Sequence, residues 1–316
     1  AGLEGAYINA SKTWLYPVIN GIILLLPVYG IPLREGEQRP ALSFDKERVF
    51  RYYNEVDYLA HGEQVIYADS ARWVDYRPVA RDYMHTAFLR AKKYLHEGGK
   101  YYLDIASGPI GLPEYLELSE GYEYRICIDI SLRALAQAQH NYQGRGIYIC
   151  GDITNIPLQA GICDAVLSQH TVYHIPRDDQ RTAVEELYRV AKPGGTIGIV
   201  YSWFYHSPLM NITLLPVQLY RIARHFAGKL YVRLFNRTPR LYFYPHSPRW
   251  WRSFPFTDQM EMYCWRSVNK YFLDIYVHEK LGGRRLLRWI SRLEERYPRF
   301  LGRWGDYPII VIRKEG

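Results

Sequence analysis

Through the middle of the chain, short uninterrupted apolar runs alternate with longer stretches in which apolar residues return every three or four positions. The short runs read as strands buried on both faces, the periodic stretches as amphipathic helices. Strands are predicted at residues 101–105, 124–129, 146–150, 164–168 and 196–201, with helices opening near Pro113 and running over 132–141 and 178–190. Alternation at this pitch predicts an α/β fold on a doubly wound parallel sheet, and such sheets take ligands at the carboxyl ends of their strands.

The flanks read differently. Residues 15–33 are the most apolar stretch, but Pro17, Asn20, Gly21, Pro27 and Gly30 interrupt it, and the clean run 22–26 is far below the roughly 20 residues a bilayer requires. Asn20-Gly21 between two apolar runs instead predicts a type I′ hairpin, so residues 1–40 are assigned to an N-terminal β-hairpin module. A polar linker leads into residues 41–100, a tyrosine-rich helical cap whose last helix opens near Arg77 and stops at Gly98-Gly99. Residues 101–201 are the sheet core.

Residues 202–257 break the alternation. They carry eight basic residues (Arg221, Arg224, Lys229, Arg233, Arg237, Arg240, Arg249 and Arg252), and no acid precedes Asp258. Leu219, Ile222, Phe226 and Leu230 recur there at helical spacing with basic side chains on other faces, which predicts a basic amphipathic helix. Residues 258–316 are expected to complete the sheet, with a helix near 258–270, a strand at 271–277, a basic helix at 284–296 and a last strand at 307–313.

Gly108 and Gly111 follow the first strand, where they permit positive φ and close approach of a ligand to the backbone ahead of a helix start. Three acids, Asp104, Asp129 and Asp152, each close a successive strand. Asp129 stands about as far past the glycine turn as the carboxylate that grips ribose in dinucleotide-binding sheets. One such acid reads equally well as a helix cap. Three in order, with the glycine turn and Lys192-Pro193-Gly194-Gly195, point to a bound cofactor.

On these residues the chain resembles the class I S-adenosylmethionine-dependent methyltransferases of the small-molecule type, over about residues 75–201 and more loosely at its C-terminal end. The resemblance implies a Rossmann-like seven-stranded sheet with an antiparallel C-terminal strand pair and a helical insertion after the fifth strand. It implies S-adenosyl-L-methionine as cofactor and no metal. By the same resemblance Asp104, Ala106, Ser107 and Gly108 cradle the methionine part, and Asp129 accepts the ribose hydroxyls with Ile130 flanking the adenine. Asp152 would cap the adenine amino group beside Ile153, and residues 168–174, Gln169 among them, would close over the cofactor. Tyr53 or Tyr52 resembles the tyrosine that touches the cofactor carboxylate, although the cap aromatics read as plain core too.

The loop departs from the family in one respect: glycine is usual at three alternate positions after the acid, and here those are Ala106, Gly108 and Ile110. The N-terminal hairpin, with Tyr16-Pro17 and Asn20-Gly21-Ile22, resembles a degenerate form of the zinc-ribbon-derived module that precedes some methyltransferases. No cysteine precedes it in this sequence, so no metal is expected there.

Methyl transfer from a sulfonium is an in-line displacement that depends on alignment in a water-poor pocket. For a hydroxyl acceptor, His170 and His174 stand where a general base is wanted; otherwise they line the pocket. Tyr173, Tyr201 and His206 are candidates of the same kind, while Arg249 and Trp250 suit stacking on a ring and pairing with phosphate. The expected acceptor is a small or lipid-linked molecule, a sugar or secondary metabolite being examples. Two alternatives are an NAD(P)-dependent oxidoreductase, which would want G-x-G-x-x-G directly after the first strand, and a membrane-surface binding protein on an inactive methyltransferase fold.

Composition narrows the partners. The formal net charge of +8 favours an anionic partner, a phosphate-bearing small molecule, an acidic membrane surface or nucleic acid, and does not choose among them; with the methyltransferase resemblance a small molecule is expected and nucleic acid is not. The insertion reads as a substrate lid, a peripheral membrane contact or a subunit interface, which leaves monomer and homodimer open. Cys127, Cys150, Cys163 and Cys264 lack any Cys-x-x-Cys spacing, so disulfides and zinc are not expected and a cytoplasmic setting is.

Overall fold

The computed structural model describes residues 3–316 apart from 35, 40, 63 and 236–240. Arg237 and Arg240 of the basic insertion therefore lie outside the described residues. In chain order come β1 (Leu3–Ile8), β2 (Trp14–Ile19), β3 (Ile22–Leu24), β4 (Ile31–Pro32), α1 (Phe44–Glu55), and the pair β5 (Tyr58–His61) and β6 (Gln64–Tyr67). Next are α2 (Arg81–Leu89), β7 (Gly99–Ile105), α3 (Pro113–Glu117), β8 (Tyr122–Asp129), α4 (Leu132–Asn141), β9 (Ile147–Cys150), β10 (Cys163–Gln169), α5 (Gln180–Val190) and β11 (Ala191–Val200). The chain closes with α6 (Pro208–Thr213), α7 (Leu215–Phe235), α8 (Pro248–Trp251), β12 (Met260–Arg266), α9 (Lys270–Tyr276), α10 (Gly283–Arg296), α11 (Pro298–Trp304) and β13 (Tyr307–Arg313).

The central sheet runs β9-β8-β7-β10-β11-β13-β12, with the first five strands parallel and β13 antiparallel to both of its neighbours, β11 and β12. This is the Rossmann-like arrangement, doubly wound outward from β7. Alternate residues face opposite layers: Tyr102, Leu167, Ile309 and Val311 pack with α2 and α10, while Leu103, Val166, Ile310 and Ile312 pack with α5. Burial on both faces is why these strands read as continuous apolar runs.

The N-terminal hairpin forms as expected, and Asn20 and Gly21 both take the positive φ (51° and 71°) that a type I′ turn demands. It is no separate layer: β3 pairs in parallel with β9 and carries β2 and β1 onto the sheet edge. The sheet thus has more than the seven strands expected.

Three local expectations are corrected. Residues 41–100 are not helical throughout, because β5 and β6 form an antiparallel hairpin turned at Gly62, with φ of 63°. Residues 258–270 hold a strand, β12, whose Met-Glu-Met-Tyr-Cys-Trp run pairs with β13. Residues 271–277 hold the helix α9, because the Asn269 side chain caps it by accepting the Phe272 N–H at 3.1 Å. The antiparallel strand pair exists, but its first member lies some ten residues earlier than the sequence suggests.

Candidate active site

A cavity of about 1450 Å³ opens at the carboxyl ends of β7, β8, β9 and β10, roofed by α1, the β5–β6 hairpin and the inner face of α7. Its size exceeds the ~300–1,000 Å³ of a single ligand pocket, which leaves room for two reactants side by side.

The turn after β7 forms the cavity floor. Ala106, Gly108 and Ile110 take φ of 55°, 57° and 50°, so the three alternate positions keep the left-handed backbone that glycine would supply although only one is glycine. Gly111 is required for another reason: a Cβ there would lie 2.5 Å from both the Val65 carbonyl oxygen and Ile66 Cγ2. The turn and the hairpin are therefore built against one another. Tyr67 of that hairpin lies over Gly108, and its ring neighbours Tyr53 (5.7 Å) and Tyr58 (5.2 Å).

Asp129 anchors this turn to the second strand. Its Oδ2 accepts the Gly108 N–H at 2.9 Å and its Oδ1 the Ser131 N–H at 2.8 Å. Burial raises its pKa to about 6 against the opposing pull of the Ser131, Gly108 and Ile130 N–H groups. Asp104 and Asp152 line the same cavity but have cationic partners of their own. Asp104 is ion-paired with buried Arg125, whose guanidinium also donates to the Tyr115 carbonyl at 2.6 Å. Asp152 accepts the Lys46 ammonium at 2.9 Å and the Thr154 N–H at 2.8 Å.

Ser107, Ile130, Ile153 and Gln169 also line the cavity. Gln169 Oε1 is buried there without a hydrogen-bond partner, an acceptor a polar ligand would satisfy. His170 and His174 follow. His170 Nδ1 meets the Tyr173 hydroxyl at 3.0 Å, and burial pulls its pKa down to about 3, Arg266 adding to the effect. His174 Nδ1 lies 2.7 Å from the Tyr242 carbonyl, which can only accept, so Nδ1 carries the proton and Nε2 is a free acceptor. Its pKa falls to about 4, again through burial.

The remaining candidates are placed elsewhere. Tyr201, His206, Arg249 and Trp250 are not on the cavity wall. Tyr201 is a core residue whose hydroxyl accepts the His246 N–H at 2.7 Å. Trp250 stacks on His246, ring centres 4.1 Å apart, and Arg249 is exposed. The insertion instead reaches the cavity through α7 and residues 241–243, which contribute Arg221, Arg224, His225 and Lys229. Lys46, Arg125 and Arg266 were missed because single basic residues on helices and strands carry no spacing signal, whereas Arg221 was read only as one of the insertion's basic residues.

Residues 103–199 match a family model described as a methyltransferase domain. That segment is similar to methyltransferase domains. It includes the whole turn and all three strand-end acids. Among curated proteins, a malonyl-[acyl-carrier protein] O-methyltransferase from Enterobacter lignolyticus (strain SCF1) is 36% identical over 95 residues, 30% of this chain. The match spans 36% of that relative's length. Similar solved structures include a SAM-dependent methyltransferase from Archaeoglobus fulgidus (17% identity, 74% of this chain and 94% of that one, TM-score 0.45). The N-methyltransferase NodS from Bradyrhizobium japonicum WM9, in complex with S-adenosyl-L-homocysteine, is another (19% identity, 49% and 74%, TM-score 0.38).

Proposed function

We propose that the chain is an S-adenosylmethionine-dependent methyltransferase acting on a small-molecule or lipid-linked acceptor. The observation that carries this reading is Asp129: a buried carboxylate on the cavity wall, its two oxygens ordered by the Gly108 and Ser131 N–H groups. Two adjacent acceptors fit the paired hydroxyls of a ribose. The partnerless Gln169 Oε1 and the left-handed turn at Ala106 and Gly108 fit the same ligand. Asp152 fits less freely, since an adenine amino group would share its carboxylate with Lys46.

When bound, the cofactor supplies an electrophilic methyl carbon on a positively charged sulfur. The chain's own residues align and desolvate. The turn and Asp129 fix one reactant, the β5–β6 hairpin and α7 cover the cavity, and His170, Tyr173 and His174 face the remaining space. Both histidines are uncharged at neutral pH, but with conjugate acids near 3 and 4 they are weak bases. They suit orienting an acceptor more than ionising an alcohol, which favours a nucleophile that needs little proton removal. Rates should accordingly show no inflection near pH 6.5 from either histidine.

The direct test is incubation of the full chain with a metabolite extract and methyl-deuterated S-adenosylmethionine, followed by mass spectrometry. A product heavier by one trideuteromethyl group is expected; cofactor left wholly unconsumed in every extract overturns the reading.

A second reading concerns where the acceptor is met. On α7, Leu219, Phe226 and Leu230 are 59%, 54% and 57% exposed, with Leu215 and Leu234 extending the stripe. An outward apolar face on a basic helix of a chain carrying +8 suits the surface of an anionic bilayer. Flotation with phosphatidylserine vesicles should recover the chain, and Leu219→Glu with Phe226→Glu should abolish recovery. A dimer that dissociates in the same variant would assign the face to a second copy instead.

A further inference from the structure

Among the described residues four arginines are buried, and they fall into two classes. Arg90 pairs with Glu294 at 3.0 Å and Glu295 at 2.9 Å, and Arg125 pairs with Asp104. Arg221 and Arg266 have no carboxylate within salt-bridge distance among the described residues, and both line the cavity.

Arg266, on β12, is 2% exposed. Its Nη1 meets the Met84 sulfur at 3.2 Å and its Nη2 the Trp73 carbonyl at 3.3 Å, the Tyr307 hydroxyl is a further side-chain partner, and its Nε is buried without a partner. Arg221, on α7, is 9% exposed and donates to Gln218 Oε1 at 2.9 Å. Aromatic rings hold both groups flat. The Arg266 guanidinium lies 4.6 Å from the Tyr307 ring centre, and that of Arg221 lies 4.5 Å from Tyr271 and 4.8 Å from Phe204. Both bear on the Tyr307 hydroxyl, pulling its ionisation down against burial.

The buried acids of this region are occupied elsewhere. Glu294 serves Arg90, the Tyr83 hydroxyl at 2.8 Å and the Ser267 N–H at 2.7 Å. Asp306 serves the Phe204 N–H at 3.1 Å and Asn269 at 2.8 Å. A guanidinium taken out of water without a counter-ion is costly, and two on one wall are more so. An anion entering the cavity would offset that cost, and planar forks match carboxylate and phosphate oxygens. His170 packs edge-on against Trp265 (4.8 Å) and Tyr307 (5.5 Å), so this wall adjoins the reactive end of the cavity.

We propose that Arg221 and Arg266 form an anion clamp that recognises a carboxylate or phosphate group on the acceptor. The clamp rests on the methyl-transfer reading only in calling that anion the acceptor's.

The test uses the full chain with and without saturating S-adenosyl-L-homocysteine. Malonate and inorganic phosphate are each titrated at ionic strength held constant with sodium chloride, with malonamide as the neutral control, and followed by calorimetry and thermal unfolding. At least one anion is expected to bind at a single site and raise the unfolding temperature, and malonamide to do neither; which anion responds separates a carboxylate from a phosphate acceptor. Arg266→Met and Arg221→Met should each weaken that binding by about tenfold or more. Without anion, Arg266→Met should unfold no earlier than the parent, because a buried unpaired charge has been removed. The clamp is overturned if neither anion binds the parent, or if both variants keep the response. Should Arg266→Met fail to fold, Arg221→Met decides alone. Absence of S-adenosyl-L-homocysteine binding, with the anion response intact, would count against the methyl-transfer reading and leave the clamp standing.

Discussion

At Asp129 burial and ligand recognition pull against each other. Burial raises its pKa to about 6, above the unfolded value near 3.9, so its stabilising contribution is fully present only below the unfolded pKa and is lost as pH rises through about 6. At neutral pH the charged form carries that cost but accepts hydroxyls best. Affinity for S-adenosylhomocysteine should therefore fall as pH drops from 7 to 5. Asp129→Asn should weaken binding by roughly 10- to 100-fold, in line with charged hydrogen bonds worth ~1.5–3 kcal/mol; because asparagine keeps only one of the two acceptors that hold the Gly108 and Ser131 N–H groups, thermal unfolding of the ligand-free variant is read beside the calorimetry. At Asp104 the balance differs, because Arg125 is its buried partner. Asp104→Asn strands that guanidinium and should cost about 3–5 kcal/mol in urea unfolding. Sequence located all three strand-end acids but not the cations on two of them. A carboxylate at a strand tip has a position that spacing reveals, whereas Lys46 and Arg125 come to it from a helix and a neighbouring strand.

At the scale of elements, α7 is turned the opposite way from an ordinary surface helix. Its buried face carries Gln218, Arg221 and Gly228, and its leucines point to solvent. Apolar periodicity established that residues 219–230 are helical and could not say which face meets the protein, because the normal rule that apolar faces turn inward is broken here. The β5–β6 hairpin was hidden for a different reason: four-residue strands among tyrosines that also suit a helix give no decisive period. Its fit against the turn makes a sharp prediction. Gly111→Ala, which sets a methyl 2.5 Å from the Val65 carbonyl, should displace the hairpin and cost about 1–3 kcal/mol of stability. S-adenosylhomocysteine affinity should fall with it, since Tyr67 rides on the same strand.

Over the whole molecule, the parallel strands were legible because burial on both faces writes itself as uninterrupted apolar runs. The C-terminal pair was half legible. Residues 307–313 are as apolar as any central strand, while β12 at the edge alternates and was taken for a helix. Arg249 and Trp250 looked like ligand contacts on residue type alone, yet Trp250 is drawn to His246 and the neighbouring core. What type could not supply was the direction each insertion segment faces. The charge total, by contrast, does find a structural counterpart, in the arginines and lysine that α7 turns to the cavity.

The central claim is that the cavity over the β7 turn binds an adenosyl sulfonium through Asp129. Isothermal titration of S-adenosylhomocysteine into the full chain tests it most directly. Saturable binding at one site, strongly weakened in Asp129→Asn, is predicted; no heat with S-adenosylhomocysteine alongside saturable binding of NADH, or equal affinity in the Asp129→Asn variant, would contradict it.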